Sequence, residues 1–356
     1  MEAVSHTLTL SNHEQDATSP VQGYSPAGQL LHLISGYWVG QAIYAAAELG
    51  IADLLGKKGR SVGELARLTQ THEPSLYRLL RALASVGIFT EAEPGSFAQT
   101  PMGALLRSDM PGNLAAFARF QGDAWHWQAW GAIAESVRSG MSAMALVHGK
   151  TNCFQYLAGH ERSAALFNGA MGGYAAQVHA AMVDAYDFSN AGLIVDVGGG
   201  QGTLLATILE AAPNARGLLV DRAEVLIGAD AVLERVAGRC NTHAANFFAG
   251  VPAGGDIYVL STVLHDWNDA DAITILCHIR EAMQPSGRVL VVEHVVPDGN
   301  EPHPSKFIDL EMMLVTGGRE RTAQEYESLL AGAGLSLARI IPTAVSASII
   351  EAERTS

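Results

Sequence analysis

The stretch Leu193-Ile194-Val195-Asp196-Val197-Gly198-Gly199-Gly200-Gln201-Gly202 constrains this chain more than any other. It reads as a buried apolar strand running straight into a glycine-rich turn, with a helix starting near Thr203. Glycine is needed where the backbone must turn tightly and approach a ligand closely. Such a turn at the carboxyl end of a parallel strand is where open α/β sheets bind nucleotide-like ligands. A dinucleotide fingerprint requires G-x-G-x-x-G, and Thr203 stands where its last glycine would fall. The pattern present is G-x-G-x-G. A second carboxylate, Asp221, ends the next apolar run, Gly217-Leu218-Leu219-Val220, where it can grip both hydroxyls of a ribose.

From about Phe188 onward strands and helices alternate, with strands near Leu193, Leu218, 256–260 and 287–293. That alternation predicts an α/β fold with a doubly wound parallel sheet. Two later apolar runs, 335–341 and 344–350, predict an antiparallel hairpin that finishes the sheet edge. At the other end of the chain, residues 25–55 read as helical and apolar on nearly every face, through Leu30, Leu31, Leu33, Ile34, Tyr37, Trp38, Val39, Ile43, Tyr44 and Leu49. A helix apolar all round must be buried on all sides, so a second subunit is expected to cover it.

Ser61-Val62-Gly63-Glu64 is a capping box that opens a short helix. Pro74 suits the first turn of a second helix, which Gly87 stops, and the runs 88–91 and 96–100 follow around Glu93-Pro94-Gly95. Helix, helix, hairpin is a winged-helix pattern. A DNA reader needs a basic face, yet here Arg67, Arg78, Arg81 and Arg107 meet Glu64, Glu73, Glu91, Glu93 and Asp109. A structural or dimerising module is the better reading. Residues 111–185 read as helical and carry Phe117, Phe120, Trp125, Trp127, Trp130, Phe154, Tyr156, Phe167, Met171 and Tyr174, as core and as candidates for an aromatic ligand's pocket.

With a net charge of -14 over 356 residues, a nucleic-acid backbone or an anionic membrane surface is an unsuitable partner. Cys153, Cys240 and Cys277 lie far apart with no C-x-x-C spacing, so reduced thiols in a cytoplasmic protein are expected, with no disulfide frame and no metal site. Residues 1–20 are polar, lack a signal-peptide core and read as a loose tail, and no run reaches the length of a membrane span.

Three local patterns mislead. Gly59-Arg60-Ser61-Val62-Gly63 has hydrolase-elbow spacing, but Ser61 is already needed as a helix cap and no strand precedes it. Gly149-Lys150-Thr151 lacks the upstream glycine of a phosphate loop, since Met144 stands there. Asn268, Asp269 and Asp271 lack the rest of a calcium loop and fit a helix start. A different constellation carries chemistry. Val259-Leu260-Ser261-Thr262-Val263-Leu264-His265-Asp266-Trp267 puts a histidine just past a strand, at the ligand-binding edge of the sheet, where an imidazole can act as a base. Glu293, read as the end of the strand 289–292, and Glu320, in Gly317-Gly318-Arg319-Glu320-Arg321, supply carboxylates that can fix its tautomer.

The ordered set Val195-Asp196-Val197-Gly198-Gly199-Gly200, Leu264-His265-Asp266-Trp267, Asp309-Leu310-Glu311-Met312-Met313 and Gly317-Gly318-Arg319-Glu320-Arg321-Thr322 resembles the dimeric, metal-independent small-molecule O-methyltransferases, over nearly the whole chain from about residue 25. The G-x-G-x-G spacing is also that of S-adenosylmethionine-dependent methyltransferases. The resemblance implies a Rossmann-like catalytic domain over 188–356, a winged-helix dimerisation domain over 21–110, a helical linker and pocket segment over 111–187, and a homodimer formed through the N-terminal helices. It implies S-adenosylmethionine as cofactor and a phenolic or enolic hydroxyl of an aromatic or polyketide-like molecule as acceptor. By resemblance His265 is the general base, flanked by Glu293 and Glu320. Asp196, Gly198, Gly200, Gly202, Asp221, Asn246, Phe247, Ser261, Asp266 and Trp267 lie at cofactor positions, and Phe154, Phe167, Met171, Met312 and Met313 at acceptor positions. Two departures stand out: Asn246 replaces the family's Asp in Gly-Asp-Phe-Phe, and Ser261 replaces a lysine of the plant members. The rival readings are a relative that keeps the cofactor for hydroxylation, decarboxylation or pericyclic chemistry, and a winged-helix ligand-sensing regulator.

Overall fold

The computed structural model describes residues 25–110 and 112–355, and within the long helix near residue 175 it leaves the side chains of 173, 174, 176 and 177 undescribed. The loose tail expected over 1–20 and the aromatic Tyr174 lie outside the described residues. Ser25 caps α1 (Pro26–Ser35), its hydroxyl accepting the Gly28 N–H at 3.2 Å. Across Gly36 comes α2 (Tyr37–Glu48), then α3 (Ile51–Leu55). The single helix expected over 25–55 is thus three: it is interrupted at Gly36, and again at Gly50, which at φ 63 takes the left-handed conformation that turns the chain. Leu30, Leu31, Leu33, Ile34, Tyr37 and Trp38 are each more than half exposed, an apolar face larger than a solitary soluble chain tolerates.

β1 (Arg60–Ser61) leads into α4 (Val62–Thr69), where Ser61 and Glu64 form the capping box in full. The Ser61 hydroxyl is therefore committed to a helix end. α5 (Glu73–Ser85) ends before Gly87 at φ 80, and β2 (Phe89–Glu93) pairs antiparallel with β3 (Ser96–Gln99), which also takes β1. Leu65, Leu76, Leu80, Leu83, Phe89 and Phe97 fill this winged helix. The helical segment then runs through α6 (Pro101–Ala104), α7 (Ala115–Gly122), α8 (Ala124–Gly131), α9 (Ile133–Ser139), α10 (Ala143–His148), α11 (Cys153–Leu157) and α12 (Glu161–Ala185).

The sheet contains β4 (Leu193–Val197), β5 (Arg216–Asp221), β6 (Cys240–Ala244), β7 (Ile257–Ser261), β8 (Arg288–Val296), β10 (Leu335–Pro342) and β11 (Ala347–Arg354), in the order β10-β11-β8-β7-β4-β5-β6, with the short β9 (Arg321–Thr322) parallel to β8. β4, β5, β6, β7 and β8 are parallel; β10 and β11 form the expected antiparallel edge hairpin. α13 (Thr203–Ala211), α14 (Ala229–Leu233), α15 (Asp269–Ala282), α16 (Ser305–Val315) and α17 (Ala323–Gly332) connect them. Side chains alternate across each strand, and both faces are apolar because both are covered. Thus Leu290 and Val292 of β8 pack with Leu205 and Ile208 of α13, while Val289 and Val291 pack with Ile275, Leu276 and Leu329. Strand order reverses between β4 and β7, which places the ligand crevice of such a sheet at the carboxyl ends of these two strands.

Two expectations need correction. The strand carrying Glu293 does not end at Val292; β8 continues to Val296, because β11 pairs with it as far as His294. β6 was not expected at all: Cys-Asn-Thr-His-Ala lies on the sheet edge, is largely exposed and has no apolar alternation. No helix among the described residues is long and apolar enough to cross a membrane.

Candidate active site

The turn after β4 holds Gly198, Gly200 and Gly202 at φ 72, 62 and 84, conformations that a side chain would strain. A Cβ at Gly200 would meet nothing within 4 Å, so this loop faces open space, while Gly198 and Gly202 press against Val263 and Leu219. Asp221 at the end of β5 accepts the Gly200 N–H at 2.9 Å and the Arg222 N–H at 2.7 Å, which ties the two loops together. Beneath them Asp196 is fully buried, and neither of its carboxylate oxygens makes a well-formed hydrogen bond among the described residues. Burial and the Asp221 charge push its carboxyl up to about 7, against the pull of the Leu205 N–H. A glycine cradle with one carboxylate at the end of β5 and a second buried beneath it suits a cofactor that brings ribose hydroxyls and a cationic group.

On the other side of this crevice the rings of Phe247 and Phe248 lie 6.0 and 4.7 Å edge-on from Trp267. Asn246 reaches the same loop, but its amide oxygen already accepts the Phe248 N–H at 3.0 Å, so it serves the turn before any ligand. Ser261 ends β7 half-buried, its carbonyl taking the Thr262 hydroxyl at 2.7 Å.

Beyond β7 the chain makes a short 3-10 turn, Leu264–Asp266, and its geometry is enforced from three directions. From below, Glu293 Oε1 accepts the N–H groups of Val263 and His265, both at 3.1 Å, and its Oε2 takes the buried Tyr326 hydroxyl at 2.6 Å. Thr262, at φ 53, is held in a conformation that costs a β-branched residue on the order of 1–3 kcal/mol. From the side, Arg321, itself fully buried, donates to the carbonyls of Leu264 (3.1 Å) and Trp267 (2.9 Å) and to Asp269 (2.8 Å). Gly318 lies so near the His265 carbonyl that any side chain there would collide with it, and the Arg319 N–H donates to that carbonyl at 2.9 Å. From the front, Glu320 Oε1 meets His265 Nδ1 at 2.7 Å, and the Glu320 N–H is anchored on Asp309 of α16 at 2.9 Å.

Glu293 and Glu320 therefore act differently. Among the described residues only Glu320 bonds the imidazole; Glu293 sits under the backbone of the turn. A carboxylate only accepts, so Nδ1 carries the proton and the neutral ring keeps its lone pair on Nε2, whose nearest carboxylate is Asp266 at 3.8 Å. Burial works against an imidazolium here. The Asp266 charge, the Glu320 hydrogen bond and charge, and the Glu293 charge outweigh it and raise His265 to about 10. Burial in turn lifts Asp266 to about 7 against the pull of His265.

Phe154, Phe167, Met171, Met312 and Met313 come together as half-buried residues against the cluster of Phe120, Trp125, Met144 and Leu314. Phe154 and Phe167 meet edge-to-face at 6.1 Å. Sequence reasoning missed Tyr326 and Arg321 as supports of the turn, although Arg321 lies inside a motif that was singled out. It also missed His126, and with it the contact that joins Trp130 and Glu311, each of which stands out in the sequence without pointing to the other: Glu311 accepts from Trp130 Nε1 at 2.6 Å and lies 2.7 Å from His126 Nε2.

Comparison with known proteins agrees with this geometry. Residues 130–336 match the O-methyltransferase domain family, and residues 31–109 match the O-methyltransferase dimerisation domain. This chain belongs to the O-methyltransferase family. A phenazine O-methyltransferase of Lysobacter antibioticus is 45% identical over 325 residues, spanning 91% of this chain and 95% of that one. The mitomycin biosynthesis 6-O-methyltransferase of Streptomyces lavendulae is 38% identical over 87% of this chain and 89% of its own. Among solved structures, the calicheamicin-biosynthesis methyltransferase CalO1 in its S-adenosylhomocysteine-bound form superposes with a TM-score of 0.82 at 37% identity, covering 92% of this chain and 98% of that one. The O-methyltransferase described here is an S-adenosylmethionine-dependent enzyme with a Rossmann-like sheet and an N-terminal dimerisation domain, and its family acts on aromatic or polyketide-like molecules.

Proposed function

We propose that this O-methyltransferase methylates a phenolic or enolic hydroxyl of a polycyclic aromatic or polyketide-like acceptor, with His265 as general base. The observation that carries the reading is the 2.7 Å bond from Glu320 to His265 Nδ1, which leaves Nε2 as the nitrogen able to take a proton. Bound S-adenosylmethionine supplies an electrophilic sulfonium methyl. Gly198, Gly200 and Gly202 let the chain lie close against the cofactor, Asp221 receives ribose hydroxyls, and Asp196 faces its charged end. Asn246, Phe247, Ser261, Asp266 and Trp267 complete the wall. Phe154, Phe167, Met171, Met312 and Met313 hold the flat acceptor and exclude water. Nε2 then removes the hydroxyl proton of an acceptor whose unperturbed pKa is near that of Tyr, about 10, and Glu320 and Asp266 stabilise the imidazolium. The carboxylates that strengthen this base also leave less of it neutral at pH 7.

Residues 21–110 serve in this reading as a dimerisation unit, 111–187 as linker and pocket, and 188–356 as the catalytic domain of a cytoplasmic homodimer. The exposed face of α1 and α2 supports pairing through the N-terminal helices. Incubation with radiolabelled S-adenosylmethionine and a panel of hydroxylated naphthalenes and phenazines tests the chemistry: label is expected on oxygen. Failure of calorimetry to detect S-adenosylhomocysteine binding would overturn the reading.

A further inference from the structure

His126 is 1% exposed, and both of its ring nitrogens face acceptors: the Gln121 carbonyl at 3.1 Å from Nδ1 and Glu311 Oε1 at 2.7 Å from Nε2. A carbonyl and a carboxylate can only accept, so both nitrogens carry protons when this pair is made. Both ring nitrogens are thus committed, one to the Gln121 carbonyl and one to holding Glu311. Trp130 Nε1 holds the other oxygen, Oε2, at 2.6 Å. Each oxygen of Glu311 thus receives one donor and keeps further acceptor capacity, and the side chain stays 14% exposed. Its neighbours on α16 relate it to both halves of the site. Asp309 anchors the Glu320 backbone, and Met312 and Met313 belong to the aromatic cluster. Buried Cys153 feels the charges of both Asp266 and Glu311, so the two carboxylates share one neighbourhood.

We propose that Glu311 is an acceptor-recognition residue: its carboxylate, fixed by His126 and Trp130, takes a hydrogen bond from a second O–H or N–H group on the acceptor's ring system. This rests on the O-methyltransferase reading above. Ionised carboxylates accept and never donate, so the wall they form favours hydroxyl, amino or ring N–H substituents. It disfavours a carboxylate substituent placed against Glu311, where two negative charges would meet. The substrate class that follows is a neutral aromatic with at least two hydrogen-bond donors, one of which is methylated.

The test uses the full-length enzyme with radiolabelled S-adenosylmethionine and three kinds of probe: dihydroxynaphthalenes and aminonaphthols, 1-naphthol and 2-naphthol, and hydroxynaphthoates. In the wild type, kcat/KM for the best two-donor probe is expected to exceed that of the naphthols by about tenfold to hundredfold, as one hydrogen bond to a charged group allows. Hydroxynaphthoates should rank last. Glu311→Gln should reduce that preference severalfold, chiefly through KM, and relieve the discrimination against hydroxynaphthoates. Trp130→Phe, which keeps the carboxylate and removes one of its donors, should reduce the preference by less and leave hydroxynaphthoates last. Equal losses on one-donor and two-donor probes in both variants, or no wild-type preference, overturn this proposal alone. Transfer of label to none of the probes by a protein that also fails to bind S-adenosylhomocysteine overturns the methyltransferase reading with it.

Discussion

His265 and His126 are both buried, and each lies 2.7 Å from a glutamate oxygen. They differ in the nitrogen left over. In His265 the carboxylate takes Nδ1 and Nε2 has no bond closer than the 3.8 Å approach of Asp266, whereas His126 has both nitrogens engaged. His179 makes a third case: with no carboxylate partner, burial alone lowers it to about 4 and the ring stays neutral. A histidine–glutamate pair is therefore not itself a mark of catalysis; the proposed base also requires that the pair leave Nε2 free beside the ligand crevice.

The sharpest way to break this comparison is His265→Ala. Turnover should fall by about 10² to 10⁴-fold, the usual worth of a placed base, while S-adenosylhomocysteine still binds in calorimetry. Retained turnover would reduce the enzyme to one that works by positioning alone. His126→Phe should act on a different quantity. It leaves Glu311 with only Trp130, and breaking a buried pair from one side costs about 3 kcal/mol, visible in denaturant unfolding. The acidic limb of its pH–rate profile should keep the wild-type midpoint, since both nitrogens of His126 are already engaged. A shifted limb would make the two histidines functionally alike and sink the distinction.

Much of the His265 side of this comparison was legible in the chain. The histidine just past its strand, Glu320 and the helix starts of α4 and α15 are local patterns, and the glycine loop follows its strand without interruption. Glu293 was found but misread, because its partner is decided by how far β8 pairs with β11, with Glu293 opposite Ser348. That register is a property of the sheet. The His126 side was illegible, since residues 126 and 311 are 185 positions apart and meet only after α8 packs on α16.

Glu320→Gln sharpens the comparison through pH. The folded protein raises His265 to about 10, and the ring works as a base only when neutral, so kcat/KM should rise with pH toward that value. Removing the Glu320 charge lowers the ring's proton affinity. The acidic limb should move to lower pH, by roughly one to three pH units for loss of an adjacent opposite charge, with a lower plateau because the ring is less firmly oriented. The same linkage sets a stability trend. A histidine raised by folding stabilises fully below its unfolded value near 6.5, and this contribution is lost as pH climbs toward about 10. Thermal unfolding followed from pH 6 to 10 should show that decline flattened in Glu320→Gln, and an unchanged slope would argue that another group carries it.

The smallest effect belongs to Tyr326→Phe. Its hydroxyl is the donor to Glu293 Oε2, while Oε1 independently holds the N–H groups of Val263 and His265. Phenylalanine fills the same buried volume but leaves one carboxylate oxygen without its donor, at about 1–3 kcal/mol of stability. The turn should keep its shape through Oε1, so kcat/KM should fall less than in Glu320→Gln and the acidic limb should stay near its wild-type midpoint. A limb displaced as far as in Glu320→Gln would mean that Glu293 tunes the imidazole directly, and that the division between the carboxylate under the backbone and the carboxylate on the ring is wrong.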